Sequence, residues 1–278
     1  MEDSAPGLQP SSANQDEPAV RVGLKVAAVT AVVLLVLFGL YWGGKKLLLV
    51  PTEEEKEPVV EVRLSCPPDE VYTNLQLALK NAGSVCELDL SGGDMTKLGE
   101  EIKSFEKIAI LDLSGNQLTE ISGNIGHLKS LTKLDVSGNQ MTHMPSQIGW
   151  LMELRELDFS DNKVTEFPTW FAGMLKLEIL NLEYNQLTAI SEAVGAVPNL
   201  NIKELNVRGN QITLVPEQIT YLQDSIIVLD LRDNQLVSLP KYIRLLRELK
   251  RLELGGNPLP KSEVDRVKKE LPNAVVNY

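Results

Sequence analysis

The stretch LTKLDVSGNQMTHMPSQIGWLME, residues 131–153, decides the fold. Its first half reads L-x-x-L-x-L-x-x-N-x-L, and a looser half with Pro145, Ile148 and Leu151 follows. The same pattern begins at Val85, Ile108, Leu131, Leu154, Leu177, Ile202, Ile226 and Leu249, at spacings of 23, 23, 23, 23, 25, 24 and 23 residues. A fixed apolar period of this length specifies a solenoid. One unit cannot bury its own apolar face, so each must stack on the next.

Within a unit, the fourth and sixth positions (Leu111 and Leu113 in the second) are predicted to point inward from a short strand. The ninth position is Asn116, Asn139, Asn162, Asn185, Asn210, Asn234 and Asn257 in successive units, and Gly93 in the first. A primary amide both donates and accepts, so stacked Asn side chains can satisfy backbone groups that would otherwise be buried unpaired. The return arm carries apolar–Pro pairs at Met144-Pro145, Phe167-Pro168, Val215-Pro216 and Leu239-Pro240. Proline fits there because that arm is not a central sheet ladder.

These residues resemble the leucine-rich repeat family, and the L-P-x-x-I-x-x-L arm is similar to its Ras-associated class and to many bacterial repeat proteins. The resemblance covers residues 85–259. It implies an α/β horseshoe of about eight repeats with a parallel concave sheet, and it names no ligand. A solenoid also needs its ends covered. Residues 59–84 are predicted as an N-terminal helix cap, entered at Pro67-Pro68 and stopped at Gly83, with Val71, Leu75, Leu77 and Leu79 as its apolar side. Residues 260–278 are predicted as a C-terminal cap, a helix from about Ser262 to Glu270 followed by a strand at 274–278.

Upstream, residues 1–20 have the composition of a disordered tail. Residues 21–46 read as a single-span membrane anchor. The segment 26–44 holds 19 residues without a charge, which as a helix spans roughly 28 Å, close to a bilayer's hydrocarbon core. Lys25 closes one end, and Tyr41, Trp42, Lys45 and Lys46 close the other. No small-residue cleavage site follows, which argues against a signal peptide. Residues 47–58, containing PTEEEKEP, read as an acidic linker. The anchor, cap, short-period repeats and GNPL-plus-helix ending together resemble single-span bacterial leucine-rich repeat proteins.

Cys66 and Cys86 both fall in or beside the N-terminal cap. A disulfide between them would staple the cap to the first repeat, contributing about 3 kcal/mol for a loop of about 20 residues, and would imply an oxidising compartment. Two reduced, packed thiols are the alternative. Lys45, Lys46 and Lys56 outnumber Arg21 and Lys25 across the apolar segment, a slight lean toward cytoplasmic repeats. The disulfide reading points the other way, to repeats outside the cytoplasm.

The chain has 278 residues and a formal net charge of −11, which argues against a nucleic-acid partner. No H-E-x-x-H, G-x-S-x-G, Walker A or G-x-G-x-x-G motif occurs. His127 and His143 stand alone on the arm, so no cofactor, metal or catalytic set is expected. The fifth position presents Asp89, Asp112, Asp135, Asp158, Asn181, Asn206, Asp230 and Glu253 on the concave face, about 4.8 Å apart. This is either a solubilising ladder or a stripe for a divalent cation or a cationic partner.

The seventh position is serine at Ser91, Ser114, Ser137 and Ser160, then Glu183, Arg208 and Arg232. The eighth is glycine except at Asp161, Tyr184 and Asp233. Tyr and Arg are enriched at interface hot spots. Asp161, Glu183, Tyr184, Arg208, Arg232 and Asp233 are therefore the candidate partner-binding residues. Trp150 and Trp170 either fill space between arms or form a lateral contact. The expected function is a membrane-anchored interaction module that offers its concave face to a protein or glycan. A membrane-tethered cytoplasmic scaffold is the alternative.

Overall fold

The computed structural model describes residues 70–195 and 200–278. The tail, the apolar segment 26–44, the linker, Cys66 and the first part of the N-terminal cap lie outside the described residues. Among the described residues, no helix is long and apolar enough to cross a membrane.

One parallel sheet of ten strands runs the length of this unit. Its strands are β1 (Val71–Tyr72), β2 (Glu87–Asp89), β4 (Ile110–Asp112), β6 (Lys133–Asp135), β7 (Glu156–Asp158), β8 (Ile179–Asn181), β9 (Glu204–Asn206), β10 (Val228–Asp230), β11 (Arg251–Glu253) and β12 (Val275–Asn277). The missing numbers, β3 (Lys97–Leu98) and β5 (Glu120–Ile121), form a separate two-stranded parallel pair on the return arm. Equivalent repeat positions pair throughout, as in Leu111↔Leu134 and Leu134↔Leu157. The repeat period therefore sets the register, and each inward apolar residue lies on its counterpart in the next repeat.

Apart from β1, each strand of this sheet spans three residues and turns its middle one inward, and a second inward residue follows directly, as with Leu111 and Leu113. Leu111, Leu113, Leu134, Val136, Leu180 and Leu182 are fully buried. Each contributes roughly 1.5–3 kcal/mol relative to exposure. The return arms are short 3₁₀ turns such as Ser146–Trp150, closed by bonds from the Ile148 amide to the Pro145 carbonyl (3.1 Å) and from the Leu151 amide to the Ile148 carbonyl (3.0 Å). A 23-residue coil leaves too few residues for a full α-helix, and 3₁₀ geometry suits such short pieces.

The Asn side chains tie each coil to the previous one. Asn139 Oδ1 accepts from the Leu118 amide at 2.9 Å, and Nδ2 donates to the carbonyls of Leu113, Val136 and Ser137 at 3.0–3.1 Å. Asn116, Asn162, Asn185, Asn210 and Asn234 make the same set, and all are buried. No buried side-chain polar atom lacks a partner among the described residues.

The N-terminal end departs from the predicted helix. Val71 and Tyr72 are not helical but form β1, paired with β2. The helix α1 is confined to Leu75–Lys80, with Asn74 accepting from the Leu77 amide at 3.0 Å. Its buried residue is Ala78, while Leu77 is exposed. The physical reason is the open edge of β2. Two residues of strand with Tyr72 folded over satisfy that edge, and Asn74 then restarts the chain as a helix. At the other end, α2 spans Lys261–Glu270 with Val264 and Val267 buried, and β12 completes the sheet against β11.

The amide bridge makes a direct prediction. Asn162→Ala strands the buried Met141 amide and removes one of the two amide donors to the Val136 carbonyl, which keeps Asn139 Nδ2. An orphaned buried amide costs about 1–3 kcal/mol, so urea unfolding should show a loss of about 1–3 kcal/mol. A loss below about 0.5 kcal/mol, the ordinary surface value, would contradict the bridge's role.

Candidate functional site

The concave surface is built from strand positions three and five and from the turn residues at seven and eight that follow each strand. The fifth-position carboxylates are not idle charges. Asp89, Asp112, Asp135 and Asp158 each accept the amide of the residue two ahead at 2.8–2.9 Å. In the third and fourth repeats the Ser137 and Ser160 hydroxyls donate to the same carboxylates at 2.7 and 2.6 Å. Serine thus recurs at position seven because it closes this turn.

Burial, with crowding by its neighbours, shifts one of these acids. Burial pushes the Asp135 carboxyl up, its bonds to Ser137 oppose this, and the charges of Asp158 and Asp112 add to the rise. From the fifth repeat onward the row changes. Asn181 Nδ2 donates to Asp158 Oδ2 at 2.8 Å, and Asn206 Nδ2 donates to Glu183 Oε2 at 2.9 Å. The like-charge row becomes a set of lateral amide–carboxylate bonds.

Four of the six candidate residues meet in one cluster. Arg208 Nε donates to Asp233 Oδ2 at 2.8 Å, and its Nη1 lies 3.6 Å from Glu183 Oε1. Its guanidinium stands 5.4 Å from the centre of the Tyr184 ring, within cation–π range. Arg232 pairs instead with Asp230, at 3.0 Å from Nε and 2.5 Å from Nη2. Asp161 sits one repeat before Tyr184 in the same row, and its amide bonds the Glu183 carbonyl at 2.9 Å.

The eighth-position exceptions share one backbone state. Asp161, Tyr184 and Asp233 have φ of 53°, 49° and 52°, like the glycines that fill the row elsewhere. This left-handed region is uncommon for any side chain and strained for a bulky ring. Residue types alone did not disclose that strain. The signal was nevertheless present, since all three replace a repeated glycine. Asn206 and Asp230, which complete the ion-pair and amide network, were seen only as members of the acidic row.

A second network lies at the strand entry. Glu178 accepts from Lys203 Nζ at 2.6 Å and from Arg155 Nη1 at 2.7 Å. Lys203 first, and Arg155 with it, hold this carboxyl below its usual range against the opposing effect of burial.

Other candidates scatter. Trp150 is half exposed with Lys129 Nζ 5.8 Å from its ring, and Trp170 is partly buried against the core. His127 Nδ1 lies 3.2 Å from the Asn124 carbonyl, and His143 Nδ1 lies 3.3 Å from the Thr142 hydroxyl. Cys86 is half buried at the entry to β2, with Sγ 3.7 Å from the Ser84 carbonyl oxygen. A cleft of about 750 Å³, unforeseen from sequence, opens between the last return arms and α2. There Arg266 bonds Glu263, Glu270 and the Leu239 carbonyl at 2.7–3.2 Å. Among the described residues, no group of three or more His, Cys, Asp or Glu is placed to hold a metal ion.

Family models described as leucine-rich repeats match residues 84–141, 153–174 and 199–215. The fold is a leucine-rich repeat solenoid. A Leptospira interrogans leucine-rich repeat protein is 29% identical over 74% of this chain, with a TM-score of 0.63. An internalin from Listeria monocytogenes, at 22% identity and a TM-score of 0.60, shares the fold. The chain spans 57% of each of those two proteins. The plant peptide hormone receptor RGFR1, solved in complex with RGF2, is 26% identical over 66% of this chain, which covers 30% of that receptor (TM-score 0.57).

Two carboxylates should respond oppositely to pH. Glu178 has a lowered folded pKa, so its stabilisation is present above the unfolded value and lost as pH falls through the folded one. Asp135 has a raised folded pKa, so its ionised form opposes folding at neutral pH, and the penalty disappears in acid. At pH 7, Glu178→Gln should lower stability by about 0.5–1 kcal/mol, the scale of partly exposed pairs, and Asp135→Asn should raise it. Denaturant titrations at pH 7 and pH 3 should show both differences shrinking at the lower pH.

Proposed function

We propose that this leucine-rich repeat protein is a membrane-anchored, non-enzymatic interaction module. It binds a protein partner on the concave face of repeats four to seven, outside the cytoplasm. The observation that carries the reading is the cluster of Glu183, Tyr184, Arg208 and Asp233. It joins an exposed, strained aromatic to an ion-paired arginine at the one place where the repeat pattern breaks. Interface hot spots are rich in these two residue types. The plant peptide hormone receptor RGFR1, of similar fold and solved in complex with RGF2, lends support by analogy.

The anchor in this reading is the apolar stretch within residues 21–46. A Cys66–Cys86 disulfide would staple the N-terminal cap, at residues 59–84, to the first repeat, and it favours an oxidising compartment. The second reading is a tethered cytoplasmic scaffold, favoured by the excess of Lys45, Lys46 and Lys56 over Arg21 and Lys25.

Capture of partners from the source membrane fraction should fall at least tenfold with the double variant Tyr184→Ala, Arg208→Ala. Undiminished capture would sink the site. Protease protection of intact vesicles, together with non-reducing mass spectrometry of the cysteine peptides, separates the two topologies. A bonded pair on the protected lumenal or external side supports the first. Free thiols on repeats exposed to the cytoplasm support the second.

A further inference from the structure

The eighth row of the solenoid poses a question that its backbone does not answer. Glycine is the usual occupant of left-handed positions because it alone lacks the Cβ that clashes there. Yet Asp161, Tyr184 and Asp233 hold φ of 49–53° in this same row. The turn therefore tolerates a side chain. The glycines at Gly209 and Gly256 (φ 65° and 76°) need another reason to be glycine.

Contacts supply that reason. A Cβ on Gly209 would drive into the Tyr184 ring, with Cε1 at 2.6 Å. A Cβ on Gly256 would strike the Asp233 carboxylate and come within 3.1 Å of its Cα. The early glycines of the row differ. Gly92 has φ of 66° and nothing within 4 Å of its Cβ position, and the nearest atom to that position on Gly138 is a backbone nitrogen at 3.4 Å. Identical backbone states thus carry two different steric demands.

We infer that Gly209 and Gly256 are positioning residues of the concave cluster. Gly209 leaves the space in which Tyr184 lies down across the sixth repeat, beside the Arg208 guanidinium. Gly256 leaves the space in which Asp233 lies across the eighth repeat and holds Arg208 Nε at 2.8 Å. The two contacts act in series. Gly256 sets Asp233, Asp233 sets Arg208, and Arg208 with Gly209 sets Tyr184. The aromatic plate is thereby built before any partner arrives, which spares the ordering of a side chain on binding.

The inference goes beyond the proposed partner surface, and its readouts need no partner. In the full-length protein, with labelled glycine and arginine, the Gly209 α-proton resonance should be displaced by the Tyr184 ring, and Tyr184→Ala should return it to the ordinary glycine range. Gly256→Ala should shift the Arg208 Nε–H signal, and Gly209→Ala should shift it as well. Gly92→Ala, equal in backbone state, should leave it unmoved. A double-mutant cycle separates positioning from backbone strain. The drop in denaturation midpoint caused by Gly209→Ala should shrink to that of Gly92→Ala once Tyr184 is alanine. Equal midpoint losses for Gly209→Ala and Gly92→Ala with Tyr184 present would overturn the inference, as would an unmoved Arg208 signal. Failure of the partner surface would show separately, as undiminished capture by the Tyr184→Ala, Arg208→Ala variant.

Discussion

Everything in this molecule depends on one side-chain amide repeated along the stack. Where each short strand ends, the chain turns while still inside the protein, and some of its backbone groups find no partner in the backbone ladder, such as the Leu118 amide and the Leu113 carbonyl. Asn at the ninth position meets that need from both sides. Its oxygen takes an amide of the preceding coil, and its nitrogen reaches carbonyls of both coils. An unpaired buried amide or carbonyl costs about 1–3 kcal/mol, so the bridge fixes the spacing of coils as firmly as the leucines fix their facing. It also explains why the first repeat can do without it. Among the described residues, β1 and α1 rather than a full repeat precede Gly93 and close that end.

With the turn secured from inside, its outer residues are released from structural duty. In the early repeats, position seven remains serine because its amide, and in two repeats its hydroxyl, ties to the preceding aspartate. In the fifth to seventh repeats the amide bond to position five is kept, as in Glu183 to Asn181 and Arg208 to Asn206 at 3.1 Å. The side chain is then free for other partners. The same scaffold thereby supports a polar row at one end and an ion-paired, aromatic cluster further along, with no change of backbone register.

This division also governs what the sequence reveals. The period, the inward leucines and the Asn bridge are enforced by burial, so they repeat and can be read as a pattern. The short N-terminal helix could not be read that way. From sequence, Val71 reads as part of the apolar side of a helix with Leu75, Leu77 and Leu79, while the open edge of β2 that recruits it is a tertiary feature. The concave cluster was legible only in part. Its members stand out as substitutions in a regular row, but the pairing of Arg208 with Asp233 rather than with Asp230 depends on one repeat's offset across the sheet. The cleft beside α2 joins residues from three return arms and the terminal helix, and no local pattern brings them together.

The last question is why a bulky ring occupies a position that suits glycine. A left-handed tyrosine costs on the order of 1–2 kcal/mol of backbone strain. Five glycines in the same row show that the fold has a less strained solution. Tyr184 offsets little of that cost by burial, since it remains 44% exposed. Its ring lies across Gly209, a regular member of the row, but the arginine beside it is itself a departure from the pattern. Folding alone therefore does not account for Tyr184, Arg208 and Asp233 as a group. Strain that stability does not require, held in place by neighbours that make room for it, is what a binding surface looks like when its shape is fixed in advance. The regular part of the solenoid bears the strain, and the irregular part holds the ring where a partner can meet it.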